Sequence, residues 1–121
     1  MSEYKQLRRM NAKVESYSNG DSILTSYATI VAACIDGQIY LTPEWDCSVS
    51  TMRHVRTYFE DYFDCVSSAE SIRRDIRTGT IKVIGPHEIL FRSYNSNQEY
   101  ARLYYDRHLY TSRRTLLRSR N

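Results

Sequence analysis

The dipeptide Asp36-Gly37 limits what this chain can fold into more than any other stretch. A two-residue type I′ turn needs positive φ at both central positions, and Asp-Gly supplies it at little cost. The turn sets a register: Ile35 opposite Gln38, Cys34 opposite Ile39, Ala33 opposite Tyr40 and Ala32 opposite Leu41. Side-chain alternation then places Ala28, Ile30, Ala32, Cys34, Ile39 and Leu41 on one apolar face of a hairpin whose first strand begins near Ser26. Tyr27, Thr29, Val31 and Tyr40 fall on the reverse face, a mixture suited to partial wetting. Pro43 ends the second strand.

A helix follows at once. Ser48 or Ser50 can accept its first free amide hydrogens, and the pattern runs to about Asp64. Met52, Val55, Phe59, Tyr62, Phe63 and Val66 recur at three- and four-residue spacing and form its apolar stripe. The simplest core packs this stripe on the Ala28 to Leu41 face. Further on, Ser67-Ser68-Ala69-Glu70 opens a second helix with Ala69, Ile72 and Ile76 inward and Arg73, Arg74 and Arg77 outward, and Gly79 stops it. Thr80 to Ile84 reads as a strand, Glu88 to Tyr94 as another, and Ser96-Asn97-Gln98-Glu99 as the start of a C-terminal helix carrying Tyr100, Leu103 and Tyr104. Upstream, Asn11 to Ser18 is strand-like and Asn19-Gly20 marks a second hairpin. A strict two-residue loop there sets Glu15 opposite Leu24 on a face that should be buried, so either the loop is longer or the strand lies at an edge. The expected architecture is α+β: a single domain over residues 1–121, with a small antiparallel sheet of three to five strands on one main helix and two further short helices. Residues 1–10 and 111–121 read as flexible ends, the first frayed or a short helix.

At the hairpin and first helix, SYATIVA, IYLTPEWD and SVSTMRHV resemble a family of small uncharacterised proteins encoded by bacteriophages and mobile elements. The shared pattern is a strand S-Y-x-T-x-V-A, a hairpin into Y-x-T-P, and a helix opened by S-x-S/T-T-x-R/K-H. The resemblance covers roughly residues 25 to 84, including IRRDIRTGTIKVI. It implies a phage-borne accessory protein, and such proteins are often binding inhibitors of host defence, anti-CRISPR proteins among them.

Composition sharpens the choice between chemistry and binding. There are 11 tyrosines in 121 residues, and tyrosine joins a large apolar ring to a hydroxyl suited to interfaces. The net charge of +3 hides an asymmetry. From Ala101 to Asn121 six arginines face one acid, Asp106, whereas from Asp36 to Asp64 six acids face Arg53 and Arg56. Arginines interleaved with Tyr104, Tyr105 and Tyr110 suit nucleic-acid phosphates and bases, an acidic protein surface, or simple solubility. Glu60, Asp61 and Asp64 crowd the C-terminal end of the first helix, where the macrodipole disfavours negative charge; they form an acidic patch or pair with Arg73, Arg74 and Arg77. Ser50 and His54 are one helical turn apart, but Ser50 is placed to cap, His54 projects off the apolar stripe, and no carboxylate at fixed spacing orients the ring. Cys47, His54 and Cys65 match no zinc module, and no other metal or cofactor motif is present.

These readings converge on a non-enzymatic inhibitor that contacts a host defence protein or ribonucleoprotein complex. The contact is placed on Tyr104, Tyr105, Arg107, Tyr110, Arg113 and Arg114, with Glu60, Asp61 and Asp64 as a second surface. The alternative is a small basic nucleic-acid-binding protein of phage or mobile-element origin. A homodimer through tyrosine-rich strands is a further partner class. Three cysteines without C-x-x-C spacing, no apolar run behind the N-terminal charges and no stretch of ~20 apolar residues place the chain in the host cytoplasm with no membrane partner.

Overall fold

Asp36 and Gly37 do form the turn, with φ of 51° and 78°. The strands on either side pair in the expected register, from Ile35 with Gln38 to Ala32 with Leu41. The computed structural model describes residues 2–120, with side chains for residues 2–103. In chain order it contains β1 (Ser2–Gln6), β2 (Ala12–Tyr17), β3 (Ser22–Ser26), β4 (Thr29–Ile35), β5 (Gln38–Leu41), a 3-10 turn (Pro43–Asp46), α1 (Val49–Phe63), α2 (Ala69–Arg77), β6 (Ile81–Val83) and α3 (Pro86–Arg120). The fold is α+β, and its six strands form one sheet in sequential order. Each neighbouring pair is antiparallel except β5 and β6, which are parallel. Parallel neighbours need a long crossover, and α1 and α2 supply it.

The strand expected from Ser26 is two strands. Tyr27 takes a left-handed φ of 55° and, with Ala28, turns β3 into β4. The ladder between β3 and β4 then shifts: Leu24 pairs with Ala32 but Thr25 with Ile30, leaving Val31 as the extra residue of a bulge. The bulge reverses side-chain alternation. Val31 and Ala32 both enter the core beneath α1, Ile30 passes to the other face, and Ala28 is exposed in the turn. The N-terminal hairpin also resolves. Three residues, Ser18 to Gly20, form the loop, so Val14 rather than Glu15 lies opposite Leu24, and both are fully buried. In place of a frayed end or short helix, residues 2–6 are the edge strand β1, and Leu7 just beyond it is buried.

Two helical layers enclose the sheet. On one face Val14, Leu24, Val31, Ala32 and Leu41 pack against Val55, Tyr58 and Phe59 of α1 and Ile72 of α2. On the other, Ile23, Ala33, Ile35 and Tyr40 pack against Ile89 of α3. The reverse face is therefore covered where partial wetting was expected. The reason is that residues 88–94 are helix, not strand: Pro86 sits at the first helical position, where its missing N–H costs nothing, and α3 continues unbroken through Ser96. The sequence Ser96 to Glu99 therefore starts no helix. The α1 stripe is rotated as well. Ser48 caps the helix by accepting from the Thr51 amide, Tyr58 and His54 are buried, and Phe63 and Val66 are exposed. At α2 the capping box uses Ser68 and Ser71.

Candidate binding surface

The exposed side of α3 is built by the same helix that closes the second core. Ile89 and Ser93 are buried against the sheet, one turn apart. Leu90, Phe91 and Tyr94 stand on the outer side, with Phe91 65% and Tyr94 64% exposed, and Tyr100 and Leu103 are exposed further along. Large apolar side chains gathered outward on one helix are more than the scattered exposure of an ordinary surface. Between them and the sheet, Arg92 donates to Glu88 Oε1 at 2.9 and 3.1 Å and lies over the Tyr40 ring at 5.5 Å. A groove of about 440 Å³ runs beside it, bounded by Asp36, Glu88, Phe91, Asn95 and Glu99 among others. The first third of the helix is tied to the β2–β3 loop, where Asn19 Nδ2 donates to Ser96 Oγ at 3.1 Å.

Tyr104, Tyr105, Arg107, Tyr110, Arg113 and Arg114 belong to the same helix as Phe91 and Tyr94, and their side chains lie outside the described residues. Leu90, Phe91 and Tyr94 were missed because 88–94 was read as a strand. Pro86 followed by Ile89, Ser93 and Asn97 at helical spacing was the signal available.

The second candidate surface is only partly assembled. Arg8, on the β1–β2 turn, reaches Asp61 in a bidentate pair at 2.7 and 3.0 Å and Glu60 at 3.6 Å. The hydrogen bond from Arg8 holds the Asp61 carboxyl below its ordinary range. Asp64 is apart from them: it is the α1 C-cap, in left-handed conformation at φ 51°. The expected pairing of these acids with α2 does not occur. Arg73 instead meets Asp46 at 3.8 Å and lies over the Trp45 ring, while Arg74 and Arg77 carry no ion pair among the described residues.

Ser50 and His54 are not partners either. Ser50 is exposed in the first turn of α1, whereas His54 is buried and its Nδ1 lies 2.7 Å from Ser26 Oγ. Ser26 in turn donates to Thr51 Oγ1 at 3.3 Å, which also receives the Ser48 hydroxyl at 3.0 Å and the Cys47 thiol at 3.6 Å. The Tyr27 ring covers the imidazole at 5.5 Å between centroids. Burial, then the nearby Arg53, lowers the His54 pKa. A hydroxyl against an imidazole is the pairing that nucleophilic catalysis uses, yet Ser26 is 2% and His54 5% exposed. In this packing the network ties the N-terminus of α1 to the end of β3. Cys47 and Cys65 flank opposite ends of α1, and among the described residues no group of His, Cys, Asp and Glu could hold a metal ion.

Sheet, helices and surface together define a small α+β protein that, among the described residues, exposes an aromatic and aliphatic cluster on α3. A family model described as a family of unknown function, DUF8033, matches residues 2–78, more than half of the chain, so the chain belongs to that family. The matched span runs from β1 through α2, and β6 and α3 lie beyond it. No curated protein and no solved structure matches. Among the described residues no helix is long and apolar enough to cross a membrane.

Proposed function

We propose that this protein acts by binding, through α3, and that its target is a protein surface of a host nucleic-acid-directed defence complex, in the manner of an anti-CRISPR inhibitor. The observation that carries the binding role is the outward cluster of Leu90, Phe91 and Tyr94 on a helix whose opposite side is committed to the core, with Tyr100 and Leu103 exposed further along the helix. Aromatic residues with arginine are the types that dominate the energy of protein interfaces, and six arginines follow between residues 101 and 121. The choice of target draws on the resemblance of residues 25 to 84 to phage and mobile-element proteins. Pull-down from a host extract with the purified protein should capture a defence component, and plaque assays in cells carrying that system should show restored infection. Phe91→Asp with Tyr94→Asp, or truncation after Arg102, should remove both effects. Capture and inhibition that survive both changes would place the contact elsewhere.

A second reading, binding of nucleic acid, draws on Arg74 and Arg77, which carry no ion pair among the described residues, and on the basic C-terminal segment. It predicts a gel-shift complex that weakens steeply between low and physiological salt and is lost on charge reversal at Arg113 and Arg114. No salt-sensitive complex at micromolar protein removes this reading.

A further inference from the structure

The outer edge of β1 has no partner strand among the described residues. Leu7 donates its amide to the Ala12 carbonyl at 2.9 Å, and Leu7 and Ala12 continue the β1–β2 register. In an antiparallel ladder the residues that bond across alternate along each strand. Leu7, Lys5 and Glu3 therefore spend their backbone groups on β2, while Ser2, Tyr4 and Gln6 direct N–H and C=O groups outward. Tyr17, which donates to the Asp21 carbonyl on the far side of β2, fits the same alternation. All five residues of β1 are exposed, with Tyr4 64% so, and nothing among the described residues covers the edge.

We infer that two copies of this chain associate through β1, antiparallel about a twofold axis at Tyr4, joining their sheets into one. In this register Tyr4 faces its own copy and Ser2 faces Gln6 as hydrogen-bonded pairs, giving about six backbone hydrogen bonds across the junction. Glu3 then lies opposite Lys5 of the second copy, twice, in the closer non-hydrogen-bonded positions, where opposite charges stabilise and like charges repel. The charge pattern selects this register over its neighbours. Moving the pairing by two residues, the smallest shift that keeps the hydrogen-bond alternation, sets Glu3 against Glu3 in one direction and Lys5 against Lys5 in the other. A lysine in an edge strand ordinarily guards it against foreign strands, and here Glu3 two residues away makes the same edge complementary to itself. Glu3 and Lys5 share the α1 face with Val14 and Ser16, whereas Tyr4 lies on the other face with Glu15 and under the Lys13 amine.

The contact is a single short strand pair, so association in the micromolar range is expected, and sedimentation of the full chain should extend to about 500 µM. Wild type should shift from monomer to dimer across that range. Glu3→Lys and Lys5→Glu, each alone, should remain monomeric, and the double exchange Glu3→Lys with Lys5→Glu should dimerise again. Without any substitution, hydrogen exchange at the amides of Tyr4 and Gln6 should slow as protein concentration rises, while the amides of Glu3 and Lys5 do not change. Wild type that stays monomeric to the top concentration overturns the inference. So does a dimer indifferent to both single reversals, or concentration-independent exchange at Tyr4.

Discussion

At the residue scale the strongest commitments are polar groups placed inside the core. Tyr58 is fully buried with its hydroxyl 2.6 Å from Ser22 Oγ, and its ring meets Phe59, Tyr62 and Phe63. Burial drives its pKa upward, well clear of physiological pH. Tyr58→Phe keeps the ring but leaves the buried Ser22 hydroxyl without that partner. It should destabilise by about 1–3 kcal/mol in chemical denaturation, with Ser22→Ala restoring part of the loss. His54 sets a pH response. Its folded pKa lies below the ordinary 6.5, so protons bind the unfolded chain preferentially. Its contribution is complete above pH 6.5 and falls as the pH drops from there to the lowered folded value. The midpoint in urea should decrease across that window in wild type, and the slope should flatten in His54→Gln.

At the element scale, α1 ends against its own electrostatics. Glu60, Asp61 and Asp64 sit where the macrodipole is negative, and Arg8 from the β1–β2 turn offsets the first two. Asp64 has no ion pair among the described residues and also holds a left-handed backbone at φ 51°. Asp64→Gly removes both penalties and should stabilise the protein by about 0.5–1 kcal/mol, seen as a rise of a few degrees in Tm. If α3 is part of the fold and not an appendage, Ile89→Ala should cost ~2–5 kcal/mol, as much as Leu41→Ala in the opposite layer. Melting the two variants side by side compares the two cores directly.

At the scale of the whole molecule, the fully buried apolar side chains among the described residues run from Leu7 to Ile89, and no apolar side chain from Leu90 to Leu103 is buried. Truncation after Arg102 should therefore change stability by less than about 0.5 kcal/mol while removing the proposed partner contact. Circular dichroism melts beside a capture assay separate the two roles. A large loss of stability on truncation would mean that the segment serves the fold.

Local chemistry was enough wherever a structure depends on nearest neighbours. Asp36-Gly37 specified a turn and hence the pairing of β4 with β5; Ser48 and Ser50, and Ser67 and Ser68, marked helix starts to within a residue or two, Gly79 marked a helix end, and Thr80 to Ile84 read as the strand found at Ile81–Val83. Asn19-Gly20 fell short because a three-residue and a two-residue loop share the same dipeptide, and only burial of Val14 against Leu24 chooses between them. The burial of His54 and Tyr58 and the helical state of residues 88–94 depend on partners far away in sequence, Ser26, Ser22 and the Ile23 to Tyr40 face, and the bulge at Val31 depends on how β4 pairs with β3. Glu88 to Tyr94 is rich in residues that suit strand and helix alike, so the segment follows the surface it covers. The acidic patch was visible as composition, but its partner was not: Arg8 lies 53 residues from Asp61, and only the closing of the sheet brings the two side chains together.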